Sequence, residues 1–274
     1  MVKVFAPAKI NLTLHVTGKR DDGYHLLDSL VMFADVGDTI HVTPAAQISL
    51  LVSGHMAHGV PVDDRNIMVR AAQLARVNAA MRLTKVLPPA AGIGGGSSDA
   101  AATLRALADI SGQPITGKAH TLGADIPVCL LGQTARMRGI GEKVEVLPDM
   151  PTLHAVLVNP NVPVFTKSVF ACLTKPDNPA MPEDIPCGLS AADLINWLKD
   201  MRNDLERSAM AAEPAIAQIF NALEVTPGCQ LTRMSGSGGT CFGLYSDHET
   251  AASAAGRLTE QQPGWWVRAV RLNP

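Results

Sequence analysis

The run Pro88-Pro89-Ala90-Ala91-Gly92-Ile93-Gly94-Gly95-Gly96-Ser97-Ser98-Asp99-Ala100-Ala101 is the most chemically informative stretch of the chain. Four glycines in five positions leave the loop without side chains, so backbone N–H groups can approach a ligand closely. From Ser97 the pattern turns helical, with Ala100, Ala101, Leu104, Leu107 and Ala108 recurring at helix spacing. The start of a helix carries unpaired N–H donors and about half a positive charge, which favours an anion. Ser97 and Ser98 add hydroxyls suited to phosphate oxygens or a metal-bound water. That chemistry is di- or triphosphate binding. The same residues fit equally well a tight turn and a capped helix, with Ser97 or Ser98 as N-cap and Asp99 serving the dipole.

Two other segments shift the balance. Met234-Ser235-Gly236-Ser237-Gly238-Gly239-Thr240-Cys241 lies between two strand-like stretches and repeats the glycine–serine chemistry. Two such loops, one in each half, are expected to form two walls of one cleft rather than an unrelated flexible hairpin. Leu122-Gly123-Ala124-Asp125-Ile126-Pro127-Val128 sets a lone carboxylate in an apolar stretch. Taken alone, Asp125 reads as an Asp near a helix start ahead of Pro127. Three decoys carry less. The glycine loop lacks the third glycine of a dinucleotide fingerprint. Gly112–Ala119 approaches a P-loop but has Ala119 where Ser or Thr is needed, and a helix precedes it. His55-x-x-His58 has no third ligand to make a metal site.

These loops need a scaffold. The first segment, Ile10 to Val16, alternates apolar and polar like a half-buried strand, with Lys9, Asn11, Thr13 and His15 on its polar face. Thr17–Gly23 reads as a turn, followed by strands near 29–34 and 39–43. Residues 64–82 read as a helix capped by Asp63 or Asp64, with Ile67, Ala71, Leu74 and Ala75 on one face. Asp149-Met150-Pro151 marks a domain boundary between 1–150 and 151–274. A strand at 155–158 follows, then a proline-rich stretch to Pro186 and two helical patterns over 190–223, broken near Pro214. Strands at 231–234 and 241–245, a helix at 247–260 and a strand at 266–272 complete the chain. A β-rich opening without regular βαβ alternation predicts an α+β fold.

Composition bounds the partners. The chain has 274 residues, 47% hydrophobic and 18% charged, with a net charge of -2. That is a globular composition, long enough to bury a full core. Residues 1–150 hold 14 basic and 13 acidic side chains and the remainder 9 and 12, so neither half has a basic footprint for nucleic acid. No apolar run reaches a membrane span. Five scattered cysteines without a C-x-x-C pair suit a reducing compartment. A cytoplasmic protein acting on a small molecule is expected, as a monomer or weak homodimer.

The loop 88–101 resembles the glycine-rich motif of the GHMP kinases. Further matching stretches run in the same order: Ala6-Pro7-Ala8-Lys9-Ile10-Asn11-Leu12, Arg20-Asp21-Asp22-Gly23-Tyr24-His25, Gly123–Pro127, Arg138-Gly139-Ile140-Gly141-Glu142, Asn203-Asp204-Leu205-Glu206 and Met234–Thr240. The resemblance implies a two-domain fold, an N-terminal domain like the second domain of ribosomal protein S5 and a ferredoxin-like C-terminal one. It implies transfer of the γ-phosphoryl of ATP, with Mg2+, to a hydroxyl of a small molecule. Tyr24-His25 points to a cytidine diphosphate-linked polyol as acceptor. Carried over by position, Asp125 is the general base and Lys9 its partner, keeping it ionised. Pro88, Pro89, Ala90, Ala91, Gly92, Ile93, Gly94, Gly95, Gly96, Ser97 and Ser98 hold ATP. Tyr24, His25 and Phe170 hold the cytosine end. Asn11, Thr166 and Thr240 are candidates for the diphosphate and polyol. No carboxylate is marked as a magnesium ligand, and Ser98 is the candidate offered for that place.

Overall fold

The computed structural model describes residues 1–115 and 117–274. Thr116, inside the P-loop-like stretch, lies outside them. The elements in chain order are β1 (Val2–Asn11), β2 (His15–Lys19), β3 (His25–Pro44), β4 (Ser49–Ser53), α1 (Ile67–Ala75), β5 (Ala79–Thr84) and α2 (Gly95–Ser111). A 3-10 turn (Ala119–Leu122), α3 (Ile126–Leu131), β6 (Ala135–Gly139), β7 (Lys143–Val146), β8 (Leu153–Asn159) and α4 (Thr166–Ala171) follow. The chain ends with α5 (Ala191–Lys199), α6 (Glu206–Ala212), α7 (Ala215–Glu224), β9 (Leu231–Met234), β10 (Cys241–Tyr245), α8 (His248–Gln261) and β11 (Trp266–Leu272). This is the expected α+β class.

The chain forms two compact units that do not follow chain order. The first comprises Met1–Lys9, Val36–Pro89 and Gly94–Gly132; the second Ile10–Asp35, Ala90–Ile93 and Gln133–Pro274. The division therefore differs from the expected cut at 150: residues 10–35, 90–93 and 133–150 group with the C-terminal residues. One reason is β3. It runs for 20 residues where two short strands were expected, and it continues straight through Asp35, Gly37 and Asp38, the turn-type residues between them.

In the first unit, Thr39–Pro44 of β3 pair antiparallel with β5, and β4 adds parallel to β5. Their apolar faces (Ile40, Val42, Met81, Leu83) meet Met68 and Ala72 of α1 and Ala102 and Ala106 of α2. The helix expected over 64–82 is shorter. Asn66, not Asp63 or Asp64, caps it by accepting the Met68 N–H. Arg76 ends it in the left-handed conformation, with its N–H on Ala72 and Gln73 carbonyls. Residues 79–84 then alternate buried and open as a strand. The misleading signal is alanine, which suits either period.

In the second unit, β8 lies between β10 and β11, and β9 flanks β10, all antiparallel. With α4–α7 between β8 and β9, and α8 between β10 and β11, the order is the β-α-β-β-α-β of ferredoxin-like folds. Val156, Val158, Ile216, Ile219, Leu223, Ala251 and Leu258 form its core. Among the described residues, no helix is long and apolar enough to cross a membrane.

Candidate active site

In the first unit, α2 starts where the sequence turns helical, but Gly94 caps it, not Ser97 or Ser98. Gly94 is left-handed at φ 63°, and no side chain caps the helix. A Cβ on Gly94 would sit 3.0 Å from Lys9 Cβ, so the backbone passes directly over that lysine. The helix start is left to its own N–H groups, as an anion site requires. Ser98, the residue offered for phosphate or metal, lies in the first turn of α2. It is buried, and its hydroxyl donates to the Pro7 carbonyl at 2.7 Å. It ties α2 to β1.

Asp125 directly precedes α3, whose first turn contains Pro127 and therefore needs one N–H partner fewer. Its Oδ2 lies 2.9 Å from Lys9 Nζ; the lysine side chain is 4% exposed and the aspartate side chain 34%. The predicted pair is thus formed, with its carboxylate open and its ammonium covered. Cys129, one helical turn on, is buried and its thiol is pushed up to about 12, mainly by that burial and then by Asp125.

Sequence reading missed a second charged cluster in this unit. Lys85 Nζ donates to Asp38 Oδ2 and, at 2.7 Å, to Asp99 Oδ2. All three are buried. Burial alone would lower the Lys85 pKa, but Asp99 and Asp38 outweigh it and raise it. Burial pushes Asp99 up to about 7 against the pull of Lys85. Asp99 is therefore a buried partner of a cation, not a surface charge serving the dipole. The available signal was opposite charges just before and just after the glycine loop.

In the second unit, the polar face of the opening strand is neither solvated nor an open wall. Asn11, Thr13 and His15 are all buried. The Asn11 N–H donates to Ser235 Oγ at 3.0 Å and its Nδ2 to Ser29 Oγ at 2.8 Å, while its Oδ1 is buried without a partner. Burial and then Arg202 lower the His15 pKa; its ring meets the Pro179 carbonyl at 3.2 Å and the Arg202 N–H at 3.4 Å.

The two glycine-rich loops touch. Residues 90–93 lie against 235–240: Ser235 Oγ donates to the Gly92 carbonyl at 2.9 Å and the Thr240 N–H to the Ala91 carbonyl at 3.0 Å. A Cβ on Gly92 would meet the Gly238 and Ser235 carbonyls at 2.5 Å, so only glycine permits this approach. The expected cleft walls are, over these residues, one packed layer. Thr240, the expected substrate contact, lies in this layer. It is fully buried, and its hydroxyl accepts from Asn159 Nδ2 at 3.0 Å. Thr166 is exposed and shares a 2.7 Å hydrogen bond with Ser237, a residue the sequence reading did not single out.

His25 and Phe170 stack on each other, with ring centroids 4.6 Å apart and planes 23° from parallel. Phe170 thus has an aromatic partner rather than a place in the apolar core alone. Tyr24 is 60% exposed in the loop that turns from β2 into β3. The side chain that faces Phe170 is His25, not Tyr24.

Model profiles of the GHMP kinase N-terminal domain and of the GHMP kinase C-terminal region match residues 66–133 and 188–264. The chain belongs to the GHMP kinases, and it is a phosphotransferase. Among curated relatives, a 4-diphosphocytidyl-2-C-methyl-D-erythritol kinase of Cereibacter sphaeroides is 51% identical over 99% of this chain and 99% of its own. One from Dinoroseobacter shibae is 52% identical over 96% of this chain and 92% of its own. A crystal structure of 4-(cytidine 5'-diphospho)-2C-methyl-D-erythritol kinase is similar at a TM-score of 0.78 and 30% identity, over all of both chains. Homoserine kinase from Cytophaga hutchinsonii shares the fold at a TM-score of 0.65 and 17% identity, over 98% of this chain and 93% of its own.

Proposed function

We propose that this chain phosphorylates the 2-hydroxyl of 4-diphosphocytidyl-2-C-methyl-D-erythritol with ATP. The products are the 2-phosphate and ADP, in non-mevalonate isoprenoid precursor biosynthesis in the cytoplasm. The observation that carries the chemistry is the 2.9 Å contact of Lys9 with Asp125. The substrate follows from relatives of that name aligned along nearly the whole chain.

Phosphoryl transfer passes through a loose transition state, so positioning and charge neutralisation do most of the work. The uncapped start of α2 suits an anion, and the glycines at 94 and 95 let its backbone lie close against Lys9 and Lys85, which a Cβ would approach to 3.0 and 3.3 Å. Asp125 orients the acceptor hydroxyl and accepts its proton late, as the bond to phosphorus forms. Lys9 holds that carboxylate in place and offers positive charge to the transferring group. Mg2+, when bound with ATP, would supply positive charge to the phosphates. His25, Phe170 and Tyr24 take the cytosine, and Asn11 Oδ1 is a buried acceptor suited to a substrate donor.

Homoserine or mevalonate as acceptor would not need Tyr24, His25 or Phe170. Turnover with ATP and Mg2+ on the cytidine substrate, homoserine and mevalonate separates these readings. Preference for the cytidine substrate is expected, and preference for either of the others refutes the assignment.

A further inference from the structure

We infer that Lys85 is a positioning residue for nucleotide binding, clamping both ends of the glycine loop in the first unit through Asp38 and Asp99. The inference rests on the loop being the ATP site. At the entry to the loop, Asp38 Oδ1 accepts the N–H groups of Val86 and, at 2.9 Å, Leu87, immediately before Pro88. At its exit, Asp99 lies in the first turns of α2, one residue beyond Ser98. A single ammonium bonds both carboxylates. It also lies under the helix start: a Cβ on Gly95 would be 3.3 Å from Lys85 Nζ and 3.7 Å from Leu87 Cβ.

Stability alone gives this cluster little reason to exist. Burying one ammonium and two carboxylates costs desolvation that well-packed apolar side chains would avoid. The cluster does fix the separation between the strand that enters the loop and the helix that leaves it. That separation sets where the N–H groups at the start of α2 point. A ligand held by those groups is bound through them in ground state and transition state alike. Loosening the clamp should therefore raise KM for ATP and leave kcat nearly unchanged.

The test is Lys85→Met, with ATP affinity measured by calorimetry and steady-state constants for ATP and for the cytidine substrate. Expected are a dissociation constant and KM for ATP raised at least tenfold, kcat within threefold of the parent, and an unchanged KM for the acceptor. A second variant, Lys85→Met with Asp99→Asn, keeps the formal charge of the cluster at -1 and spares the Asp38 bonds to Val86 and Leu87. It covers the case in which the single variant fails to fold. It should fold and still bind ATP at least tenfold more weakly. ATP affinity equal to the parent's in a folded variant, or a loss confined to kcat, overturns the clamp. A parent protein that neither binds nor uses ATP would instead refute the proposed function.

Discussion

Replacing Asp125 by Asn tests the centre of the mechanism. The substitution keeps the shape, and the new amide oxygen can still accept from Lys9 Nζ, now 2.9 Å from Oδ2. Exchanging the ion pair for a hydrogen bond from the same ammonium to a neutral amide oxygen costs about 1 kcal/mol. The carboxylate is one-third exposed, so solvent screens the pair and that figure is an upper bound. For a chain of this length, that is a fall in Tm of about 2–4 °C. Activity should respond far more strongly. Loss of a general base lowers kcat by about 10²–10⁴-fold, or at least about 2.7 kcal/mol of barrier. ADP release in a coupled assay gives kcat, calorimetry with ATP gives affinity, and thermal melting reports the fold. The expected result is a kcat at least ~10²-fold lower, with ATP affinity within a few-fold and the fold intact. A folded variant turning over within tenfold of the parent would falsify the base assignment.

Three other perturbations probe separate parts of the structure. Gly95→Val places a branched side chain against Lys85 and Leu87; KM for ATP should rise about tenfold or more, a loss of at least ~1.4 kcal/mol, and an unchanged value would count against the cradle. Arg136 forms a buried two-point pair with Asp28 at 2.9 and 2.8 Å and donates to the Glu183 carbonyl at 2.7 Å. Arg136→Met leaves the Asp28 carboxylate buried without its cation and should cost about 3–5 kcal/mol in urea unfolding; a loss below about 1 kcal/mol would mean the pair is solvated. The folded state lowers the His15 pKa, so the unfolded chain binds the proton more readily. Stability should be full above about pH 6.5 and fall as pH drops below it. His15→Gln should flatten that slope in melting curves from pH 7.5 to 5, and an unaltered slope would assign it to other groups.

The sequence made the local signals plain and hid the ones that depend on long-range pairing. The glycine loop running into a helix, the strands at 231–234 and 241–245 and the last strand at 266–272 were legible because turn residues and periodicity mark them. Lys9 and Asp125 are 116 positions apart, and only the family resemblance brought them together. The Asp38–Lys85–Asp99 cluster has no contiguous motif. Its members look like ordinary surface charges until β3, β5 and α2 are assembled. Ser98 and Thr240 show a further limit: hydroxyls in glycine-rich loops suggest ligands, and the long-range partners these two have, the Pro7 carbonyl and the Asn159 amide, are invisible in the sequence. The helix expected over 64–82 ran too far because Ala79 and Ala80 fit a strand as readily as a helix.

The interleaving of the two units limits how such a chain can be divided. Its backbone passes from one to the other at 9/10, 35/36, 89/90, 93/94 and 132/133. No single cut separates them. A fragment beginning at 151 would lack Leu14 and Val16, which belong to the apolar cluster around Val156 and Ile219. Gene fission at the proline-marked midpoint would therefore leave every segment of the first unit in the leading piece and strip residues 10–35, 90–93 and 133–150 from the second.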